Sequence, residues 1–441
     1  MQVPMVANVS STDSQDGVLE PSAHALVAIQ CVLVAGSLSF GVFPLLVDGL
    51  VRLAHFDVQS AGLSVTAEML GQSLGAAGAL AIVRRLGSRR VVIAALLFII
   101  VGNGLTVGVY SFFRWLLVLR AVAGIGCGLT VVCIGLLAAT KQADRNFAIF
   151  NTVNLVGCAL LAAAVPALFR MLGVGGVFAV IAGATALCLW MIPLIPESHR
   201  ERTLHREDAS SATVPFVLRM LTCTMTVAYF VSLTMFWSYA GDVGSRHHMG
   251  VATVSSAVAL ASLVGGLGGS ITAILTVKRL PRMFIIVVAA IGGAATTYAA
   301  IYVSNPVAFS IILTGFMFFW LLLYPFQMGL FSQVDTSGRL AMLAWFVQLI
   351  ACAIGPAVGG FVLHVSSYSV LALVCALGYF LFVCAAFVLV PVAKKNVNAA
   401  TGGLTYDHKW GEMPVARVHD IRMSAQPGEH PRVGPTQIPE E

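Results

Sequence analysis

The sequence predicts an all-α integral membrane protein: twelve transmembrane helices in two pseudo-symmetric six-helix bundles, with both termini cytoplasmic. Three observations carry that expectation. Hydrophobic residues make up 58% of the 441 positions and charged residues only 10%, a balance that a water-soluble domain does not reach. Apolar runs long enough to cross a hydrocarbon core of roughly 30 Å, at about 20 helical residues per crossing, recur along the chain. The halves also repeat. A shift of 194 positions carries Asp48 to Asp242, Arg52 to Arg246, Arg85 to Arg279, Gly71 to Gly265, Gly75 to Gly269, Asn154 to Gln348 and Cys158 to Cys352. Charged residues are scarce here, so their agreement weighs most, and a doubled membrane module is how many secondary transporters are built.

The elements follow in order. After an N-terminal tail (1–23), apolar spans are expected at 24–50, 59–83, 91–110, 114–138, 146–170 and 175–196, forming the first bundle, 24–196. The first run is longer than a crossing needs. The stretch 197–213 mixes both charge signs with Ser and Thr and reads as a cytoplasmic linker. The second bundle, 214–392, holds spans at 214–240, 253–277, 283–303, 306–330, 340–364 and 367–392. The remainder, 393–441, is rich in Gly, Pro and charge, lacks an apolar run, and is expected to be a disordered cytoplasmic tail. The short alternating segments of a β-barrel are missing.

Orientation follows from the basic residues, because cytoplasmic loops hold Lys and Arg. Loops after even-numbered spans carry Arg84, Arg85, Arg89, Arg90, Lys141, Arg145, Arg200, Arg202, Arg206, Lys278, Arg279, Arg282 and Arg339, whereas the opposite loops hold only Arg52, Arg114, Arg170 and Arg246. The formal charge of +6 is therefore an orientation signal and not a nucleic-acid footprint. The first 23 residues carry Asp13, Asp16 and Glu20 and no Lys or Arg, so the first helix is expected to be retained and not cleaved as a leader. All nine cysteines lie in apolar spans without CxxC spacing and read as small core residues.

Span four reads LLVLRAVAGIGCG, where Arg120, Gly124, Gly126 and Gly128 reproduce an RxxxGxGxx pattern. This is similar to the helix-four signature of the major facilitator superfamily. The loop VRRLGSRR resembles that superfamily's basic loop motif through Arg85, Gly87, Arg89 and Arg90, and it recurs as VKRLPR with Lys278 and Arg279. Arg84 stands in the motif's acidic position, Leu80 in that of its leading glycine, and Ser88 is an extra residue. The resemblance, over about residues 24–392, implies a cytoplasmic gate at these basic residues that lacks its usual carboxylate. A further string, GPAVGG, with Gly355, Pro356, Gly359 and Gly360, looks like the family's antiporter motif but falls in span eleven, where it reads as a hinge. The resemblance to drug and metabolite efflux members points to export.

Ionisable groups inside a span are costly, starting at about 2.5 kcal/mol at a helix centre, and so mark function. Glu68 falls near mid-depth of span two, and Arg120 on span four is long enough to approach it. Two readings stay open: a permanent ion pair that fixes packing, or a proton-coupling pair that breaks during a cycle. Asp48 and Asp242, each one turn before an arginine, read either as solvated helix ends or as an external gate. Asn154, Tyr229, Trp320, Tyr324 and Gln348 are the candidate solute contacts near mid-depth. The expected partners are a small organic solute, protons and the bilayer of the cell (inner or plasma) membrane, for a monomer without cofactor or metal. The string offers no Walker-type loop for ATP and no nucleophile–base or metal spacing for an enzyme. Secondary transport by alternating access is the reading taken. Proton-coupled uptake of an organic acid or aromatic compound, and a transporter-like sensor or assembly factor, are the alternatives.

Overall fold

A computed structural model describes residues 21–197, 214–269, 271, 280–335 and 339–400. The expected linker from 198, the expected tail from 401, and Lys278 and Arg279 lie outside the described residues.

The first span is a bent pair, α1 (Ala23–Gly41) and α2 (Phe43–Arg52). The bend sits at Val42, with φ −113° and ψ 9°, and its cause is Pro44, which has no N–H for the carbonyl of Phe40 and whose ring crowds that turn. There follow α3 (Val58–Leu86), α4 (Ser88–Val109), α5 (Phe113–Leu129) with its short continuation α6 (Val131–Ala138), α7 (Ala143–Leu172), and α8 (Gly175–Cys188) ending in a 3-10 turn, Leu189–Leu194. The second half supplies α9 (Phe216–Arg246), α10 (Val251–Gly265), α11 (Arg282–Tyr302), α12 (Pro306–Val334), α13 (Arg339–Val365) and α14 (Tyr368–Ala400), the last running beyond Val392.

Among the described residues, eleven helical stretches are long and apolar enough to cross a membrane. The twelfth expected span corresponds to α3, whose Gln, Ser and Glu68 side chains lower its apolarity and which packs along the length of α5. Its start is fixed by Asp57, whose carboxylate accepts the Ser60 N–H at 2.9 Å as an N-cap. Partial burial raises the Asp57 carboxyl, but the Ser60 hydroxyl and the backbone N–H groups of Ser60 and Gln59 together hold it below the usual carboxylate range. The cap therefore contributes fully above the ordinary carboxylate pKa and fades as pH falls through the lowered one. Asp57→Ala is expected to cost about 1 kcal/mol near neutral pH, read as a lower thermal midpoint, with the difference from wild type shrinking in acid.

Packing follows one plan twice. In the first half α1 packs on α7 and α8, α3 on α5, and α4 on α5 and α8. In the second, α9 packs on α13 and α14, α10 on α12, and α11 on α12 and α14, so every pair has its counterpart 194 positions on. The halves meet along α2 against α9, α3 against α13, and α7 against α10, which exchange under the same pseudo-symmetry. Large apolar side chains point outward, among them Leu74, Leu160 and Leu187, while Trp115 and Trp190 stand exposed near opposite ends of the spans. That exterior suits lipid. The nine cysteines are all free.

Candidate functional site

Glycines bring α3 and α5 into backbone contact. A methyl group on Gly71 would overlap the carbonyl of Ala121, on Gly75 that of Ile125, on Gly124 that of Glu68, and on Gly128 that of Gln72. Gly126 faces the other way, against the Ala95 carbonyl and Ile99 of α4. The alternation in the RxxxGxGxG string thus seats α5 between two neighbours at once, and the pair that results is Glu68 and Arg120. Glu68 lies about ten residues, or about 15 Å, along α3. Arg120 Nη1 donates to Glu68 Oε2 at 3.2 Å, and each side chain is only 2% exposed. The Ser39 hydroxyl of α1 lies beside the same carboxylate. The remaining nitrogen, Nη2, donates to the Gly102 carbonyl at 3.2 Å and to Asn103 Oδ1 and Thr106 Oγ1 at 3.1 Å, all on α4. The ring of Phe178 on α8 lies 4.3 Å from the guanidinium carbon.

The second half argues against a merely structural pair. Ser262 and Thr314 stand 194 positions beyond Glu68 and Arg120, on α10 and α12. Those helices pack closely through Gly265 and Gly268 with neutral Ser262 and Thr314 at the equivalent positions, and among the described residues no ion pair joins them. Buried ion pairs add little net stability over neutral residues, so packing alone does not explain this one.

On the face opposite the basic loops the halves are shut. Having no proline N–H to bond, the carbonyl of Phe40 instead accepts Trp237 Nε1 at 3.0 Å from α9. Gly241 of α9 sits against the Pro44 carbonyl. Tyr239 is wedged between Gly62 of α3 and Gly359 and Gly360 of α13, and its hydroxyl donates to the Pro356 carbonyl at 2.7 Å. No room for a water molecule remains between Phe40, Met69, Trp237 and Pro356. The GPAVGG residues therefore form the socket for Tyr239, and α13 runs unbroken through Pro356. Tyr239→Phe is expected to remove about 1 kcal/mol from this closure. The check is faster thiol labelling of a single cysteine at Ser238, 1% exposed within the seam, in a cysteine-free background, relative to the same reporter with Tyr239 intact.

Asp48 and Asp242 lie in the same seam, 1% and 5% exposed, so the solvated-helix-end reading of these residues does not hold. Each keeps its own arginine, Arg52 at 3.2 Å and Arg246 at 3.7 Å. Arg52 also crosses to the second half and donates to the Ser245 carbonyl at 3.0 Å, near the C-terminal end of α9 where a cation is favoured. Asp242 accepts the hydroxyl of Tyr368, over whose ring Arg246 lies.

Towards the basic loops the arrangement reverses. Among the described residues α1 packs on α5, α6, α7 and α8 of its own half, and neither α1 nor α6 has substantial packing against α9 or α12. Phe40, near the end of α1, meets Trp320 with ring centroids 5.6 Å apart. Behind Trp320 stands Tyr229, 1% exposed, which donates its hydroxyl to the Trp320 carbonyl at 3.1 Å and packs on Phe230 and Phe382. Tyr324 lies beside the side chain of Gln348, whose carbonyl oxygen is buried with no partner among the described residues. The structure thus groups Trp320, Tyr324, Gln348 and Tyr229. Asn154 stands on α7, where Cys158, the residue packed on Gly41, donates to its Oδ1 at 3.9 Å.

In the basic loop, Gly87 has φ +80°, a conformation that favours glycine, and it joins α3 to α4 in one residue. Arg84, Arg85 and Arg90 are exposed. Arg89 donates to the Ile195 carbonyl at 2.9 Å and stands 3.8 Å from Glu197, while Ser88, the extra residue, donates to the Pro196 carbonyl at 2.6 Å. A carboxylate is thus present beside the loop after all, supplied by Glu197 immediately after span six.

Sequence reasoning missed Asn103, Thr106, Ser39 and Phe178 around Arg120. Asn103 and Thr106 were visible as two polar residues one turn apart inside an apolar span; Phe178 left no signal. It also missed Trp237 and Phe40, although a proline inside the first span announces a carbonyl in need of a donor.

The family model described as Major Facilitator Superfamily matches residues 29–346. No curated protein matches the chain. Among solved structures the chain is similar to the crystal structure of a D-xylose-proton symporter, with 15% identity and TM-score 0.63 over 88% of this chain and 100% of that one. It is likewise similar to the inward-open xylose transporter XylE from E. coli, with 16% identity and TM-score 0.64 over 81% of this chain and 94% of that one. The nucleoside transporter NupG aligns at 10% identity and TM-score 0.64 over 83% of this chain and 99% of that one. At such identities these likenesses show the fold. The expected lean towards drug or metabolite efflux finds no support among them.

Proposed function

The chain belongs to the Major Facilitator Superfamily, a multi-pass secondary transporter of small solutes and not an enzyme, and from that premise we propose that it couples solute movement to protons through Glu68 and Arg120. The observation that carries the proposal is the buried pair itself, whose equivalent positions in the second half, Ser262 and Thr314, are neutral on helices that pack through glycine in the same way. Neutralising Glu68 with a proton frees Arg120 Nη1 and shifts the balance between inward-open and outward-open forms. In this reading the bundles 24–196 and 214–392 rock about a central site, and the basic loops face the cytoplasm. The structure then represents a state shut to the outside at the Asp48–Asp242 seam and parted to the inside.

The solute contacts we propose are Trp320, Tyr324 and Gln348, with Asn154 on the facing half and Tyr229 as their support. The unpartnered carbonyl oxygen of Gln348 favours a solute with a hydroxyl or amine donor. Arg85, Arg89, Arg90, Gly87, Arg84, Lys278 and Arg279 would close the cytoplasmic side, with Gly355, Pro356, Gly359 and Gly360 as the bearing of the outer seam. The direction proposed is uptake with protons, because one similar structure is titled a D-xylose-proton symporter. A thermal-shift screen of pentoses, nucleosides and aromatic acids identifies the solute by its stabilisation of the purified protein. Uptake of that solute into proteoliposomes under an imposed pH gradient then compares wild type with Glu68→Gln. Loss of gradient-driven accumulation with retained exchange supports the proposal; undiminished accumulation removes Glu68 from coupling.

A further inference from the structure

A proton carrier buried beside an arginine faces a physical difficulty. Once Glu68 takes a proton, the guanidinium keeps its charge, since arginine stays protonated in proteins, and an unpaired cation at this depth would cost several kcal/mol. Resting on the reading of Glu68 as that carrier, we propose that Asn103 and Thr106 of α4, with the ring of Phe178, are positioning residues that hold Arg120 in place whether or not Glu68 is ionised.

The hydrogen-bond polarity of α4 is what assigns this role. Asn103 spends its amide on the Ile99 carbonyl at 2.9 Å, which turns Oδ1 towards Arg120. Thr106 spends its hydroxyl hydrogen on the Gly102 carbonyl at 2.6 Å, which leaves only lone pairs for the guanidinium. Both side chains are fully buried, and so is the Phe178 ring. The cluster therefore presents acceptors and a π face, and no donor, to a cation: an arrangement specific for positive charge. Nη2 is saturated by α4, whereas Nη1 alone reaches Glu68 and Nε has no partner. Breaking the ion pair thus costs Arg120 one of its bonds and leaves the others made. Among the described residues, Arg120 is the one charged group acting on Glu68, and Cys127 on α5 is the one further titratable group beside the pair; α1 contributes the Ser39 hydroxyl, and α4 and α8 contribute neutral groups.

Removing the α4 acceptors makes Arg120 depend on an ionised Glu68, so the proton should bind less readily. The test needs no solute. Infrared titration of the purified full-length protein follows the C=O stretch of protonated carboxyl groups, and subtraction of Glu68→Gln isolates the Glu68 band. In Asn103→Ala/Thr106→Val the midpoint of that band is expected to fall by about one pH unit, the size of one hydrogen bond to a charged group, while Thr106→Ser keeps the wild-type midpoint. An unchanged or higher midpoint in the folded double variant overturns the positioning role and leaves the proton role of Glu68 standing. If the double variant does not fold, Thr106→Val alone is read the same way, with a smaller fall expected and an unmoved midpoint overturning the proposal. Absence of any Glu68-dependent band in wild type overturns both readings together.

Discussion

Arg120→Leu is expected to destabilise the protein by about 3–5 kcal/mol, whereas Glu68→Gln costs far less. The asymmetry comes from what each change leaves behind. Without Arg120, the Glu68 carboxylate is left at a site 2% exposed with only the Ser39 hydroxyl near it among the described residues, and the Asn103 and Thr106 oxygens lose the guanidinium they accept from. Without the Glu68 charge, Arg120 retains three acceptors on α4 and the Phe178 ring. Pairing Arg120→Leu with Glu68→Gln should recover a large part of the loss, because no bare charge remains. Thermal unfolding midpoints of the three variants in detergent decide the matter. Equal losses for the two single variants, or no recovery in the double, would show that the pair is held in some other way.

Gly124→Ala is the second large effect. One methyl group at this position would overlap the Glu68 carbonyl, and a backbone atom cannot rotate aside as a side chain does, so α3 and α5 must separate. Overpacking of this kind costs about 1–3 kcal/mol, and the upper end is expected here because Gly71, Gly75 and Gly128 hold the same interface against backbone. Separation also draws Glu68 from Arg120, so gradient-driven uptake should fall with stability. Gly135→Ala on α6 is the control: an added methyl there meets open space, and its greater helix propensity should leave stability equal or higher. Unfolding midpoints measured side by side give the comparison, and a neutral Gly124→Ala would remove the glycines from their role as the closest approach.

Much of the architecture was legible in the chain. Spans are long and apolar, basic residues alternate between loops, and Asp48, Arg52 and the glycines recur at one offset, so the twofold packing plan was readable. Glu68 and Arg120 could be joined in advance because charged residues within spans are few, and costly enough to require partners. What surrounds them could not. Asn103, Thr106 and Phe178 reach Arg120 only because Gly102 and Gly126 draw α4 against α5, and that approach belongs to tertiary packing. The reading of Asp48 and Asp242 stayed divided for the same reason: the repeat gave their equivalence, but burial depends on Gly241 meeting the Pro44 carbonyl across the two halves. The bend after α1 was hidden in a run that looked continuous, although Pro44 stood within it.

The central claim is that two bundles rock as units under control of the Glu68 proton. Paired spin-label distances test it most directly, with labels at Phe112 and Val307 on the face of the closed seam and at Lys141 and Lys395 on the face of the basic loops, all exposed positions. On lowering the pH the account predicts that the two distances change in opposite senses in wild type and stay fixed in Glu68→Gln. Distances that move in the same sense, or that respond to pH equally in Glu68→Gln, would contradict it.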